Sequence, residues 1–362
     1  MKLCIVYNFA QKYREGIYRL FEQEYDSHWV FGNNASDIKG LDLSLLKSVK
    51  TIKNRKLVGP LYYQEGVPSL LKMHDTLLLL GELYCVSTWI LLFLRRFILR
   101  RKRVYLWSHG WYGKEGCVKK LLKRWFFSMS DATFLYGDYA KEVARKQGYQ
   151  KDNLYVVHNS LYHQNQVALR EKQVVSEVYK EHFGNDKPTL IFIGRLTRIK
   201  RLELLLQALK KCEGNYNLVL VGDGESRADL EQMVAQLGIS SNVWFYGACY
   251  DEEDNAKLLF NADLCVSPGN VGLTAVHAMT YGTPVITNNN FAWQMPEFEA
   301  IQQGVTGDFF EHDNADSLTS CIQQWFACHK DAREAVRQAC YNEIDNNWTP
   351  YYQMSIFKSV IG

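Results

Sequence analysis

The sequence lacks the cysteine patterns that support disulfide frameworks or zinc sites. Its nine cysteines are scattered, none forms a C-x-x-C pair, and no His/Cys cluster has zinc-ligand spacing. An odd number argues against a full disulfide framework. Cys4 and Cys265 lie inside apolar runs, which is typical of buried, reduced thiols. We therefore expect a cytoplasmic protein.

Signal-peptide features, internal repeats and low-complexity segments are also missing. Residues Met1–Tyr7 run directly into a strand pattern and lack the length and cleavage site of a signal peptide. The formal net charge is only +3, which is too small to indicate nucleic-acid binding. We therefore expect no nucleic-acid partner.

One apolar stretch, Thr76–Leu94, approaches the length of a membrane span. Gly81 and Glu82 interrupt it, which favours a strand–helix–strand unit of a parallel sheet over a transmembrane helix. The predicted elements are a strand at Thr76–Leu80, a helix from about Ser87 to Arg101 and a strand at Val104–Trp107.

Strand-like apolar runs alternate with helical patterns along the chain, which predicts an α/β fold with parallel sheets and helices on both faces. Further strands of the first half are predicted at Leu3–Tyr7, Ser27–Phe31, Ala132–Tyr136 and Leu154–Val157. Strands of the second half are predicted at Leu190–Ile193, Leu218–Val221, Val243–Tyr246, Leu264–Ser267 and Val285–Thr287. Helices are predicted at Gln164–His182, Glu203–Cys212, Arg227–Leu237, Glu253–Asn261, Leu273–Tyr281, Asn314–Cys328, Lys330–Tyr341 and Trp348–Ile361.

The segment Ile191–Lys200 is the most informative part of the sequence. A buried strand ends at Gly194, and the cations Arg195 and Lys200 follow it before a helical pattern begins. Side chains beyond the carboxyl end of a parallel strand lie where open α/β sheets bind ligands. A guanidinium and an ammonium together suit a diphosphate. The alternative is a solvated basic turn.

This segment resembles the Gly-Arg-Leu-x3-Lys motif of retaining glycosyltransferases with the two-lobed GT-B fold, the family numbered four. Gly222-Asp-Gly resembles the Gly-Asp-Gly turn of that family, and Ser267–Met279 resembles its segment between a strand and a helix. The resemblance implies two Rossmann-like, doubly wound parallel-sheet domains facing a cleft. They are an acceptor-binding domain at 1–165 and a nucleotide-sugar-binding domain at 166–345, with a C-terminal helix at 346–362 that crosses back to the first.

The sequence departs from the family where two glutamates stand eight positions apart. Gly269 and His277 occupy those positions. In the family the first glutamate contacts the donor sugar and the second holds the ribose. His277 keeps the ability to bond a ribose hydroxyl, and Asn270 is the nearest polar side chain to replace the first. The resemblance implies these donor-binding residues: Gly194, Gly222, Gly269, Asn270, Gly272, Leu273, Thr274 and His277.

His109 lies directly after a predicted strand of the first half, between aromatic residues. In related enzymes a histidine here lies near the donor sugar or the acceptor. We predict that His109, Arg195 and Lys200 are catalytic. The alternative for His109 is a loop residue with no catalytic or binding function. The D-x-D pattern that holds a metal on another glycosyltransferase fold is absent. The cluster Asp251–Asp254 opens a helix and suits capping. We therefore predict no cofactor and no metal.

The predicted function is transfer of a sugar, with retention of configuration, from a UDP or GDP sugar to a hydroxyl of a glycan or lipid-linked oligosaccharide. The resemblance also implies a role in capsule, lipopolysaccharide or exopolysaccharide synthesis, because members of the family usually act in such pathways. Two alternatives stay open: a sugar-nucleotide isomerase on the same fold, and a non-catalytic homologue that binds nucleotide sugars.

Two segments of the first half combine apolar and basic residues, Ser87–Arg103 and Val118–Phe127. Basic amphipathic helices can lie on anionic membranes. We therefore expect peripheral contact with the inner face of the cell membrane. The alternative is a helix packed on the sheet with a solvated basic end.

Overall fold

Short apolar runs of the sequence form the parallel strands of two separate sheets. The computed structural model of the chain describes residues 1–33 and 39–362. Contacts divide the chain into two units. Unit 1 comprises Met1–Tyr162 and Thr349–Gly362, and unit 2 comprises His163–Trp348. The second unit is therefore continuous in sequence and the first is not.

Unit 1 is built on a seven-stranded parallel sheet. Its first strands are β1 (Lys2–Tyr7), β2 (Asp26–Gly32) and β3 (Val49–Ile52), followed by an antiparallel hairpin of β4 (Asn54–Lys56) and β5 (Tyr62–Gln64). The later strands are β6 (Thr76–Leu80), β7 (Arg103–Ser108), β8 (Ala132–Leu135) and β9 (Leu154–Val156). The helices are α1 (Glu15–Glu24), α2 (Leu70–Met73), α3 (Val86–Phe93), α4 (Cys117–Ser128) and α5 (Asp138–Lys146).

The strand order in this sheet is β3-β2-β1-β6-β7-β8-β9. Side chains of one strand alternate between two buried layers, so Cys4 and Val6 join one hydrophobic cluster while Leu3 and Ile5 join the other. Burial on both faces explains the continuous apolar runs. The winding direction reverses between β1 and β6, which opens a crevice at their carboxyl ends.

Unit 2 contains a six-stranded parallel sheet. The strands are β10 (Thr189–Ile193), β11 (Asn217–Val221), β12 (Val243–Gly247), β13 (Leu264–Ser267), β14 (Val285–Asn288) and β15 (Gly307–Phe310). The helices are α6 (His163–Arg170), α7 (Val178–Phe183), α8 (Leu202–Lys211), α9 (Arg227–Leu237), α10 (Glu252–Asn261), α11 (Thr274–Thr280), α12 (Ala315–Cys328) and α13 (Arg333–Asn347). The order is β12-β11-β10-β13-β14-β15, so the winding reverses between β10 and β13.

The last helix, α14 (Pro350–Ile361), lies within the segment 346–362 and belongs to unit 1. The side chain of Thr349 caps it by accepting from the Tyr352 amide at 3.0 Å. Phe357 is fully buried, and its ring centroid lies 5.0 Å from those of Phe21 and Trp107 and 4.4 Å from that of Phe134. Residues from opposite ends of the chain therefore share one core.

The structure confirms every predicted strand to within one residue at each end. It corrects several helices. The helix predicted from Ser87 to about Arg101 begins at Val86, changes to a π-helical turn at Leu94–Ile98 and then ends. The stretch Gln164–His182 forms two short helices, α6 and α7, rather than one. The helix predicted at Lys330–Tyr341 lies at Arg333–Asn347.

The apolar stretch Thr76–Leu94 forms β6 and all of α3, as the βαβ prediction requires. No helix in residues 1–33 and 39–362 is long and apolar enough to cross a bilayer. All nine cysteines lie in this described part and are free thiols. Six of them are buried, and burial raises the pKa of Cys4 and Cys265 to about 12.

Candidate active site

The first part of the candidate site is the loop that follows β10. Gly194 has a φ of +145°, a region that L-amino acids with side chains avoid. The hydroxyl of Thr274, at the start of α11, donates to the carbonyl of Ile193 at 3.0 Å. Leu196 is fully buried and anchors the loop, whereas its neighbour Arg195 is exposed. Gly194, Arg195 and Thr274 therefore lie together at the carboxyl end of β10.

The turn after β11 packs against this loop. Gly222 also has a φ of +145°, and a Cβ atom there would lie 1.9 Å from the carbonyl oxygen of Gly194. The amide of Leu196 donates to the carbonyl of Asp223 at 2.9 Å. The carboxylate of Asp223 accepts from the Gly224 amide at 2.8 Å. Asp223 thus stabilises its own turn.

Lys200 joins the first loop to the loop after β13. Its Nζ donates to the carbonyl of Asn270, and its own carbonyl accepts from the Gly269 amide at 3.0 Å. Burial is the main cause that lowers the pKa of Lys200 to about 8; the charge of Arg195 also lowers it and the carboxylate of Glu297 raises it. The ammonium is thus held in a site that favours an added negative charge.

Gly269 occupies a place where no side chain fits. A Cβ atom there would lie 2.0 Å from the carbonyl oxygen of Ile199. The resembling family has a glutamate at this position. Its replacement by Gly269 accompanies a close approach between the backbones of two loops. Asn270, the predicted substitute, donates its side-chain amide to the Trp293 carbonyl at 2.8 Å, which leaves its side-chain oxygen as the group to meet a ligand.

Gln294 supports the loop after β13 and was not predicted as a site residue. This buried amide donates to the carbonyls of Gly269 and Asn288 at 3.1 Å and accepts from the Val271 amide at 2.8 Å. Gly272, with a φ of +53°, then leads through Leu273 into α11. Sequence reasoning missed Gln294 because it lies more than 20 residues from the loop that it holds.

His277 lies on α11 and contacts a carboxylate from α10. Its Nε2 is 2.9 Å from Oε1 of Glu252, which also accepts from the Tyr281 hydroxyl and the Gln166 amide at 2.8 Å. Burial opposes ionisation of Glu252, but His277 and these hydrogen bonds lower its pKa to about 2. The sequence predicted only capping for this acidic cluster. Asp251 does cap α10 through the Glu253 amide at 2.8 Å, whereas Glu252 has a different role.

His109 lies in unit 1, directly after β7, and lines a pocket of about 350 Å³. Its ring centroid is 4.6 Å from that of Tyr136. Burial, together with the charges of Arg14 and Lys123, lowers the pKa of His109 to about 4. The imidazole is therefore neutral near pH 7 and has one donor and one acceptor nitrogen.

The structure thus brings most predicted donor-site residues of unit 2 to one edge of its sheet, at the reversal between β10 and β13. They are Gly194, Arg195, Lys200, Gly222, Gly269, Asn270, Gly272, Leu273 and Thr274. His277 follows one turn later on α11 and contacts Glu252. Among residues 1–33 and 39–362, no three His, Cys, Asp or Glu side chains are grouped to hold a metal ion; that the reaction needs no metal stays a prediction.

Residues 176–342 match the family "Glycosyl transferases group 1". The chain is 34% identical over 140 residues to an uncharacterized glycosyltransferase, MJ1607, of Methanocaldococcus jannaschii, covering 37% of this chain and 34% of that protein. It is 27% identical over 246 residues to an uncharacterized 41.2 kDa protein in the cps region of Klebsiella pneumoniae, covering 66% and 64%. The matches span less than two thirds of either relative.

Among solved structures, the chain is similar to Anabaena Alr3699/HepE in complex with UDP. The TM-score is 0.74 at 15% identity, and the alignment covers all of both chains. At this identity the likeness concerns the fold, which is the GT-B class with two Rossmann-like α/β domains. The fold class predicted from the sequence is therefore confirmed.

Proposed function

We propose that this protein is a glycosyltransferase that moves a sugar from a nucleoside-diphosphate sugar to a hydroxyl of a glycan or lipid-linked oligosaccharide. The observation that carries the proposal is the junction of the loops after β10, β11 and β13, where Lys200 bonds the Asn270 carbonyl beside Arg195 and Thr274. The match of residues 176–342 to glycosyltransferases supports the activity. UDP, bound by HepE, is the first nucleotide to test, and GDP the second.

In this proposal the bond between the sugar C1 and the β-phosphate oxygen breaks while the acceptor hydroxyl forms a bond to C1. Negative charge develops on the departing diphosphate, and Arg195 and Lys200 stabilise it more strongly in the transition state than in the bound donor. The proton of the acceptor passes to the departing phosphate, on the same face of the sugar, which retains the configuration. Arg195 and Lys200 supply the positive charge without a metal.

His277 and His109 have separate parts in the proposal. His277 bonds a ribose hydroxyl while Glu252 fixes the orientation of its ring. His109, which is neutral near pH 7, bonds a hydroxyl of the sugar or the acceptor. The relative in the Klebsiella cps region supports a product that is a surface polysaccharide.

The test is turnover of the full chain with candidate donors and acceptors, after nucleotides have been screened by thermal shift. Arg195→Ala is expected to lower turnover by at least ~100-fold, which is the loss for one transition-state donor, and Arg198→Ala on the same loop is the control. An Arg195→Ala variant with unchanged turnover would refute the role. Conversion of the donor without an acceptor would favour an isomerase, and nucleotide binding without turnover a non-catalytic homologue.

We also propose that unit 1 contacts anionic membranes through α3, its π-helical turn and α4. Apolar side chains are exposed there, with Phe97 56%, Ile98 70% and Leu121 64% accessible. The rings of Phe93 and Trp125 lie 5.1 Å apart and connect the two helices. The same segments also carry accessible basic side chains: Arg96, Arg100, Arg101 and Arg124 are exposed, and Lys120 is half-buried. Apolar residues with basic neighbours match the interface of an anionic bilayer.

Flotation with vesicles that contain anionic lipid tests this contact. The wild-type chain is expected to float at low salt and to be released as salt is raised. The double variant Phe97→Ser/Leu121→Ser is expected to stay with the unbound protein. Val174→Ser/Val175→Ser removes two still more exposed apolar side chains from unit 2 and is expected to leave flotation unchanged. Absence of wild-type binding at low salt would remove the proposal.

A further inference from the structure

Unit 1 has a pocket of about 350 Å³ at the carboxyl ends of β1, β6 and β7. It lies at the reversal of winding between β1 and β6, where open α/β sheets bind their ligands. The loop after β1 supplies Tyr13 and Arg14, the loop after β6 supplies Tyr84, and α4 supplies Lys119. The lining therefore includes five tyrosine rings and three cationic side chains.

The main evidence concerns Arg14, which is a buried cation whose hydrogen-bond partners are all neutral. Arg14 is 4% exposed, and its guanidinium donates to the hydroxyls of Tyr7, Tyr13 and Tyr136. It also lies 4.6 Å from the ring centroid of Trp107. No carboxylate of residues 1–33 and 39–362 forms a salt bridge with Arg14. Burial of an ion without a counter-ion is costly, so the site lacks one anion.

The other charged residues of the pocket do not supply the negative charge that Arg14 lacks. Lys119 donates to the Tyr84 hydroxyl at 3.1 Å and adds a second cation. The ammonium of Lys123 is neutralised by Glu115 at 2.7 Å. Glu82 is the one carboxylate on the pocket wall within the described residues, and it accepts from the Tyr62 hydroxyl at 2.6 Å. The cations thus outnumber the anions around the open space.

His109 adds an unsatisfied polar atom to the same pocket. Its Nδ1 is buried and has no hydrogen-bond partner in the part of the chain that the structure describes. The ring packs on Tyr136, which in turn accepts from Arg14. A ligand that brought a hydroxyl beside an anionic group would satisfy both His109 and the guanidinium.

We propose that this pocket is the subsite for an oxyanion of the acceptor, so that the protein glycosylates an acceptor with a carboxylate or phosphate group near its reacting hydroxyl. The proposal rests on the proposed glycosyltransferase function. Arg14 binds the anion with the donors that its tyrosine partners leave available. Lys119 strengthens the attraction at the pocket wall. A carboxylate on an acidic sugar and a phosphate ester share this chemistry, and the experiment below distinguishes them.

The test measures binding of glucuronate, glucose 1-phosphate and glucose to the full chain by calorimetry, with UDP or GDP at saturation to occupy the donor site. At least one anionic sugar is expected to bind about tenfold or more tightly than glucose, as a charge-assisted contact implies. Preference for glucuronate identifies a carboxylate, and preference for glucose 1-phosphate identifies a phosphate. Equal binding of glucose and both anions would overturn the proposal.

Arg14→Gln is expected to abolish the preference for the anion, and Lys119→Gln to weaken anion binding several-fold. Arg19→Gln removes an exposed cation from the neighbouring helix turn and serves as the matched control. If Arg14→Gln does not fold, Lys119→Gln and the wild-type selectivity still decide the question. Loss of UDP affinity in Arg14→Gln with unchanged anion selectivity would overturn the assignment. Failure of the wild-type chain to bind any nucleotide would contradict the proposed function instead, because UDP affinity is measured separately.

Discussion

Lys200 shows how the surroundings of one residue give it a distinct pH response. Its pKa is lowered to about 8, mainly by burial, from an ordinary value of 10.5. The folded chain therefore releases this proton at a lower pH than the unfolded chain. Between these two values the unfolded state binds more protons, so Lys200 makes the free energy of unfolding rise with pH. A bound diphosphate has the opposite effect, because it favours the ammonium.

Nucleotide affinity is therefore expected to fall as the pH rises through about 8, with uptake of a proton on binding above that pH. Calorimetry with UDP in two buffers of different ionisation enthalpy measures both quantities. Lys200→Arg keeps its charge throughout this range and is expected to give a flat profile. A wild-type affinity that stays constant from about pH 7 to about pH 9.5 would contradict a role of the ammonium in binding.

Single residues of the site also show where sequence reasoning succeeds and where it stops. Arg195, Lys200 and Gly222 could be placed because they follow apolar strands at the carboxyl edge of one sheet, and parallel topology brings such positions together. Gln294 and Glu252 could not, since each acts on a loop or helix more than 20 residues away along the chain. A single sequence contains no signal for such long-range hydrogen bonds.

At the scale of elements, the carboxylate of Glu252 connects three helices. Glu252 belongs to α10, His277 and Tyr281 to α11, and Gln166 to α6. The depressed pKa of about 2 means that this stabilisation is present above the unfolded value of 4.5 and is lost as the pH falls toward 2. Removal of the charge therefore weakens the packing of α11, which also bears Thr274.

Glu252→Gln is expected to lower the free energy of unfolding by about 1–3 kcal/mol near neutral pH, the usual cost of disturbing a partly buried carboxylate that accepts several hydrogen bonds. Denaturant unfolding at several pH values measures the effect, and the difference from wild type is expected to shrink in acid. Glu253→Gln alters an exposed neighbour on the same helix and is the control. Equal stabilities of Glu252→Gln and wild type at pH 7 would exclude this structural role.

Elements buried on both faces could be predicted more fully than those at the edges of the sheets. β10 and β11 are apolar at nearly every position and gave clear signals. Four strands were missed: β3, whose central residues are exposed, the short hairpin strands β4 and β5, and the edge strand β15. The end of α3 was also misplaced, because its apolar pattern continues into a π-helical turn with exposed Phe97 and Ile98.

At the scale of the whole molecule, α14 completes the hydrophobic core of unit 1. Phe357→Ala is expected to lower the free energy of unfolding of unit 1 by about 3–5 kcal/mol, because it leaves a cavity among Phe21, Trp107 and Phe134. Hydrogen exchange followed by peptide resolves the two units separately, and unit 2 is expected to keep its protection. Ser355→Ala, at an exposed position of the same helix, is the control. Equal loss of protection in both units would contradict this assignment.

The return of α14 to unit 1 also affects how the protein forms during translation. β1 and α1 emerge from the ribosome well before α14, yet the aromatic ring that completes their core is that of Phe357. At translation rates of roughly 5–20 residues per second, the intervening stretch takes on the order of 20–70 s to synthesise. Unit 2 has all its residues available before unit 1 does. The nascent N-terminal half therefore exposes apolar side chains of its core until α14 has been synthesised. We expect a ribosome-associated chaperone to bind it in that interval.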